Sequence, residues 1–257
     1  MSPGAGGRAQ TMARHDARAQ RLFLEADLAE AMSIACSPGQ ANYVKNVLRL
    51  KQGDTILVFN GRDGEWRASL ADAGKRGATL RIGAQVRRQE HGPDIDYLFA
   101  PLKRVRLDYL VQKVTEMGAA RLRPVLTRRT TPERVNLERM RANAIEAAEQ
   151  CGILRIPEVS EPRQLDAMLA DWDAGRSLIY CDAASEQRCP FTTLACVAPG
   201  PVALLVGPEG GFDASERALL ASKPFVTRIS LGPRILRADT AAVAALALVN
   251  AVLGDWR

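Results

Sequence analysis

Two glycine–proline loops near the end of the chain carry residue types and spacing from which a small-molecule site can be built. The apolar run 202–206 empties into Gly207-Pro208-Glu209-Gly210-Gly211, and 228–231 empties into Gly232-Pro233-Arg234-Ile235-Leu236-Arg237-Ala238-Asp239-Thr240. Glycine lets main chain come close to a ligand and proline stiffens the approach. Paired loops at the ends of adjacent strands therefore predict a pocket walled largely by backbone. No G-x-G-x-x-G follows a strand and no G-x-x-x-x-G-K-[ST] occurs, so dinucleotide and nucleoside triphosphate readings lose their main support.

Loops of this kind need strands and helices to hold them. From residue 21 to about 88 the pattern is mostly β. It has a short apolar start at 21–26, a helix-spaced set Tyr43, Val44, Val47 and Leu48 within 40–50, and strands at 55–59, 65–70 and 78–86 split by glycine turns. Taken alone, these residues predict a small β domain. His91-Gly92-Pro93-Asp94 reads as a linker, after which strands and helices alternate. Strands are expected at 95–100, 122–126, 178–180, 202–206 and 226–230. Helices are expected over 107–117, ended by Gly118, and over 137–150. Asp213 stands three residues before Glu216, a capping-box start for the helix after the first loop. The uncharged stretch 240–254 is too short to cross a bilayer and reads as a buried helix. Alternation of this kind argues an α/β domain with a largely parallel sheet.

Bulk composition fits that division. The 257 residues are 47% hydrophobic and 25% charged, as in globular proteins, and hold enough chain for one large or two modest domains. Lys and Arg exceed Asp and Glu by 35 to 29, a mild excess that is only weak support for a polyanionic partner. Cys36, Cys151, Cys181, Cys189 and Cys196 lack C-x-x-C spacing and have only His15 and His91 for company, so neither a metal site nor a disulfide framework is expected. Residues 1–20 lack the apolar core of a secretory signal and read as a disordered extension, with Met12 an alternative start and a transit peptide the rival reading. A cytoplasmic location is expected, with no membrane.

The two loops resemble those of the SPOUT class of S-adenosylmethionine (SAM) methyltransferases, and within it the family that methylates N3 of a uridine in small-subunit ribosomal RNA. The similarity extends to Gln112-Lys113-Val114-Thr115-Glu116-Met117-Gly118, to Thr127-Arg128-Arg129-Thr130, and to Glu146-Ala147-Ala148-Glu149-Gln150-Cys151-Gly152 followed by Ile156-Pro157-Glu158. It covers roughly residues 21–254. The resemblance implies an α/β fold: a PUA-like β-barrel RNA-binding domain over 21–90 and a SPOUT methyltransferase domain, with its trefoil α/β knot, over 95–257. It also implies a homodimer, SAM as cofactor without a metal, and 16S rRNA in the 30S ribosomal subunit as partner.

In that light the SAM pocket is expected to be lined by Leu205, Gly207, Pro208, Glu209, Gly210, Gly211, Leu231, Gly232, Arg234, Ile235, Leu236 and Thr240, with Tyr180, Cys181 and Asp182 as a third loop. Leu205 and Leu231 are equally readable as strand core. Gly210→Val is expected to abolish SAM binding by filling the space where backbone must approach the ligand. N3 of uridine must lose a proton, so negative charge on the flanking carbonyls needs stabilising. Arginine stays charged and offers a fork of donors, which selects Arg237 and Arg129 as catalytic candidates. Glu209 is the third: it orients Arg237, accepts a proton, or holds the loop. Arg21, Arg49, Arg129 and Arg237 are the RNA-binding candidates. Arg62, Arg67, Lys75, Arg76, Arg81, Arg87 and Arg88 add basic character around Trp66, itself either a stacking surface or core.

Three departures stand out against the family pattern. Asp239 replaces a usual glutamate, Ile153-Leu154 replaces a polar pair, and histidines near 40–43 are absent. Two other readings compete with the leading one. The first is a SPOUT tRNA ribose 2′-O-methyltransferase; the second is a catalytically silent RNA-binding or ribosome-assembly protein.

Overall fold

The computed structural model describes residues 19–256 apart from 73, 75–76, 131–133 and 186–188. Residues 1–18, Met12 among them, and the basic pair Lys75 and Arg76 lie outside the described residues.

The amino-terminal domain is one five-stranded sheet in the order β1-β3-β4-β5-β2, built from β1 (Arg21–Phe23), β2 (Ser33–Ala35), β3 (Thr55–Phe59), β4 (Glu65–Asp72) and β5 (Thr79–Arg87). β1 runs parallel to β3, while the other pairs are antiparallel. The two edge strands do not pair with each other. Nevertheless Leu22 from β1 and Ile34 from β2 share one core with Val58, Leu70, Leu80 and Ile82, so the sheet curls around a single interior as a barrel does. Helix α1 (Pro38–Asn42) is nucleated by a capping box in which the Ser37 hydroxyl accepts from the Gln40 N–H and the Gln40 side chain accepts from the Ser37 N–H. A π-turn over Tyr43–Val47 follows and rotates Val47 to 60% exposure. The regular helical face expected from Tyr43, Val44, Val47 and Leu48 is corrected there.

In the carboxyl-terminal domain a parallel sheet runs β12-β10-β11-β6-β7-β8. The strands are β6 (Ile95–Phe99), β7 (Arg121–Leu126), β8 (Glu158–Val159), β10 (Ser177–Cys181), β11 (Val202–Val206) and β12 (Val226–Ile229), with β9 (Arg163–Gln164) paired to β7. Ile95–Phe99 and Val202–Val206 are buried at every position, the signature of strands covered on both faces. Tyr97, Phe99, Val202, Leu204 and Val206 face α2 (Arg104–Glu116), α3 (Leu137–Cys151), α5 (Pro190–Leu194) and α7 (Ala238–Val252). Leu98, Tyr180, Ala203 and Leu205 face α4 (Leu165–Ala170) and α6 (Ala214–Ala221). Strands β2, β8 and β9 and helices α4 and α5 are too short for a periodic signal and escape the sequence reading. Gly118 has φ 82°, the left-handed value that ends α2.

The two domains meet at α3. Phe23 and Phe59 from the β domain pack with Ala148 and Leu154, their rings edge to face at 5.7 Å. Arg87 donates to the Gly152 carbonyl at 2.7 Å, and the Glu149 carboxylate accepts from the Phe23 N–H at 2.8 Å. Burial pushes the Glu149 carboxyl above its ordinary range; the Phe23 N–H opposes this and Glu146 reinforces it. A carboxyl raised in the folded state favours folding below its unfolded value, near 4.3, and that contribution is lost as pH rises through the raised value. Glu149→Gln keeps an acceptor for Phe23. It is expected to raise the thermal midpoint at about pH 7 and to lose that advantage at about pH 4. Melting curves across this range check it, and a pH-independent gain would assign the effect to packing instead.

Candidate active site

The loops leaving β10, β11 and β12 at their carboxyl ends enclose a cavity of about 380 Å³. Its wall is largely main chain and apolar side chain. Three glycines have steric reasons to be there. A Cβ on Gly207 would stand 2.9 Å from the Phe212 ring, while Gly211 and Gly232 have φ of 66° and 97°, where side chains are strained. Asp213 and Glu216 make both bonds of the expected capping box and fix where α6 starts.

Charged groups sit on that wall and around its mouth. Arg129 Nη1 donates to the Gly210 carbonyl at 2.6 Å, joining the Thr-Arg-Arg-Thr segment to the first loop. The buried Glu216 carboxylate accepts from the Arg128 N–H at 2.8 Å and from the Asp213 N–H at 2.9 Å, so one side chain fixes both segments. Glu209 is ion-paired with Arg106 of α2. Arg234 and Arg237 are exposed, and neither makes a side-chain hydrogen bond or ion pair among the described residues. Burial pushes the Cys181 thiol up to about 12, which removes it as a thiolate nucleophile.

Most of the expected pocket residues converge here: Cys181, Asp182, Gly207, Pro208, Glu209, Gly210, Gly211, Leu231, Gly232, Arg234, Ile235 and Leu236. Two are corrected. Leu205 is fully buried and Tyr180 is 1% exposed, both on the α4/α6 side of the sheet, because a strand buried on both faces sends alternate residues into core. Thr240 lies on the first turn of α7, off the cavity wall, its N–H donating to the Asp239 carboxylate. Arg21 is also corrected as an RNA-reaching residue: it is 3% exposed and its Nε is 2.9 Å from Glu65. Glu65 binds Arg87 as well, making the cluster an internal brace beside the domain interface. Arg49 is exposed in the β domain with φ 55°, and Trp66 is part-buried against the core with its indole N–H on the Asp63 carbonyl. Sequence reading missed Arg106, Arg217, Phe212 and the wall residues Ala183, Ala184, Ala238 and Ala241. The F-D-x-x-E continuation of the first loop was the signal available for Phe212; for Arg106 there was none. The described residues hold no group of three or more metal-ligating side chains and no helix long and apolar enough to cross a membrane.

Two family models, both of RNA methyltransferases, match this succession of a β domain and an α/β domain. Residues 89–250 match the family model described as an RNA methyltransferase domain, and residues 38–83 match that of an RNA methyltransferase PUA domain. The chain belongs to the ribosomal RNA small subunit methyltransferase E family. The Rickettsia conorii protein of that name is 32% identical over 232 residues, 90% of this chain and 94% of the relative. The Synechocystis one is 32% identical over 241 residues, 91% and 78% of the two chains. A Legionella pneumophila structure solved with bound SAM matches with TM-score 0.81 at 30% identity, over 93% of this chain and 99% of that one. The Neisseria gonorrhoeae ribosomal RNA small subunit methyltransferase E, bound to S-adenosyl methionine, shares the fold with TM-score 0.84 at 24% identity, over 93% and 100%.

Proposed function

We propose that this chain transfers a methyl group from SAM to N3 of a specific uridine in 16S rRNA, on the 30S ribosomal subunit in the cytoplasm. The observation that carries the reading is the convergence of three strand-end loops on one cavity, with Arg129 anchored on a loop carbonyl and Arg237 exposed between two wall residues, Leu236 and Ala238. The cradle suits the cofactor. Leu231, Ile235 and Leu236 offer apolar cover for a flat ring, and the main-chain groups of Ile235 and Leu236 have no hydrogen-bond partners among the described residues. When bound there, SAM supplies an electrophilic methyl group on its sulfonium.

The chain's own residues do the rest. Gly207–Gly211 and 231–236 hold and orient the cofactor. Arg237 and Arg129 stabilise the negative charge that appears on the uridine carbonyls as the N3 proton leaves, work suited to guanidinium forks at the mouth of a sheltered site. Glu209, bound to Arg106, holds the first loop in this reading. Among the basic residues named in the β domain, Arg49, Arg67, Arg81 and Arg88 are exposed and make no ion pair with described residues, so they are the ones left to meet RNA phosphates. Mass spectrometry of small-subunit RNA from a deletion strain, before and after complementation, tests the activity. An N3-methyluridine that persists in the deletion strain would refute it.

The same reading includes a trefoil knot and a homodimer. Supporting the knot, the chain beyond edge strand β12 returns across the sheet to seat α7 against β11 and α2. Supporting the dimer, α7 leaves Val243, Ala244, Ala247 and Leu248 only part-buried, and α2 leaves Val105 82% exposed. Light scattering at micromolar concentration is expected to give twice the chain mass, and a fully active monomer would contradict the dimer.

A further inference from the structure

We infer that Arg217 binds the carboxylate at the methionine end of SAM; this rests on the cofactor reading above. Asp182, at the end of β10, is 3% exposed and lines the cavity. Its Oδ2 lies 3.2 Å from Arg217 Nε and 2.9 Å from Arg228 Nη2, while its Oδ1 accepts from the Ala184 N–H at 3.1 Å. Two guanidiniums therefore face one buried carboxylate, leaving one positive charge in excess at this end of the pocket. SAM has one anionic group, its carboxylate, which matches that excess.

Arg217 is the better placed of the two guanidiniums. It sits in the first turn of α6 and lines the cavity, and its Nη2 lies 3.7 Å from where a Cβ on Gly211 would be. The guanidinium is thus wedged between two wall loops, held through Nε by Asp182. Its Nη1 and Nη2 have no hydrogen-bond partner among the described residues. A fork fixed at its base with its outer donors open is preorganised for a carboxylate, and little rotamer freedom is lost on binding. The other cations near the cavity are less suited. Arg106 is neutralised by Glu209, Arg129 does not line the cavity wall, and Arg234 is exposed with no anchor to hold it.

Calorimetry of the full chain with SAM and with decarboxylated SAM, which differs only by the carboxylate, tests the assignment without RNA present. Wild type is expected to prefer SAM by about tenfold or more, the scale of a hydrogen bond to a charged group. Arg217→Met is expected to bring SAM down to the affinity of decarboxylated SAM while leaving the latter unchanged, and Arg217→Lys to restore part of the preference. Asp182 keeps Arg228 and the Ala184 N–H in both variants, and melting curves confirm that each is folded; the lysine variant decides alone if the methionine variant is not. Equal wild-type affinities overturn the inference. So does loss of both ligands alike in a folded Arg217 variant, or erasure of the preference by Arg234→Met instead. A wild-type protein that binds neither ligand overturns the cofactor reading itself, and this inference with it.

Discussion

Arg237→Ala is expected to leave SAM affinity within a few-fold of wild type while lowering methyl transfer by roughly 10²-fold or more, the scale for removing a preorganised donor to developing charge. The structure explains why the two effects should separate. Leu236 and Ala238 line the cavity but the Arg237 side chain does not. Arg237 occupies the N-cap position of α7 with extended backbone, φ −65° and ψ 153°, a conformation alanine also adopts, and its side chain makes no capping bond that truncation would remove. The wall is therefore expected to survive the substitution. Lysine should rescue only in part, because it keeps the charge and loses the fork. Single-turnover transfer to isolated small ribosomal subunits, measured beside SAM calorimetry, gives both quantities. Transfer at the wild-type rate, or a loss explained wholly by weaker SAM binding, would make Arg237 a loop residue and nothing more.

The loops were legible in the sequence because their chemistry is local: a buried strand, a glycine that allows close approach, a proline, then a helix cap. Gly207, Gly211 and Gly232 each have a steric reason for lacking a side chain, and Asp213 with Glu216 caps α6 as the spacing foretold. What the sequence hid was long-range. Nothing near Arg21 announces Glu65, 44 residues away, so a buried brace read as a surface arginine. Leu205 and Tyr180 adjoin the pocket in sequence, yet strand alternation carries them into the opposite layer.

Two departures from the family pattern also acquire physical meaning. Ile153 and Leu154 fall in the apolar contact between domains, where Leu154 is 3% exposed beside Phe23 and Phe59, so a change from polar to apolar fits its surroundings. Asp239 stands in the first turn of α7, where an acid favours the helix N-terminus and its carboxylate accepts from the Thr240 N–H at 2.8 Å. In the β domain, Arg62 is tied to Asp27 and Arg87 to Glu65. Counting basic residues there overstates the cationic surface left for RNA, because these pairings connect residues that are far apart in sequence.

The second large effect is expected at Gly207, and it separates the two glycines of the first loop. A methyl group on Gly207 would meet Cε2 and Cζ of Phe212 at 2.9 Å. That ring cannot easily retreat: Phe212 is 1% exposed, lies edge-on to Tyr180 at 5.7 Å between centroids, and packs with Leu205 and Leu220. The loop must move instead, carrying Pro208, Glu209 and Gly210 with it. Gly207→Ala is expected to cost about 1–3 kcal/mol of stability, the usual range for overpacking, and to weaken SAM at least about tenfold by displacing the main chain that forms the wall. At Gly210 the neighbours are Cδ and Cβ of the exposed Arg129 at 3.4 and 3.6 Å, a side chain that can shift. Gly210→Val is therefore expected not to abolish SAM binding, as the sequence suggests, but to act mainly by pushing Arg129 off the Gly210 carbonyl, with a smaller loss of SAM affinity than Gly207→Ala produces. Melting curves and SAM calorimetry on both variants check the ranking. If Gly207→Ala is folded and binds SAM as wild type does, the cofactor does not rest on this loop.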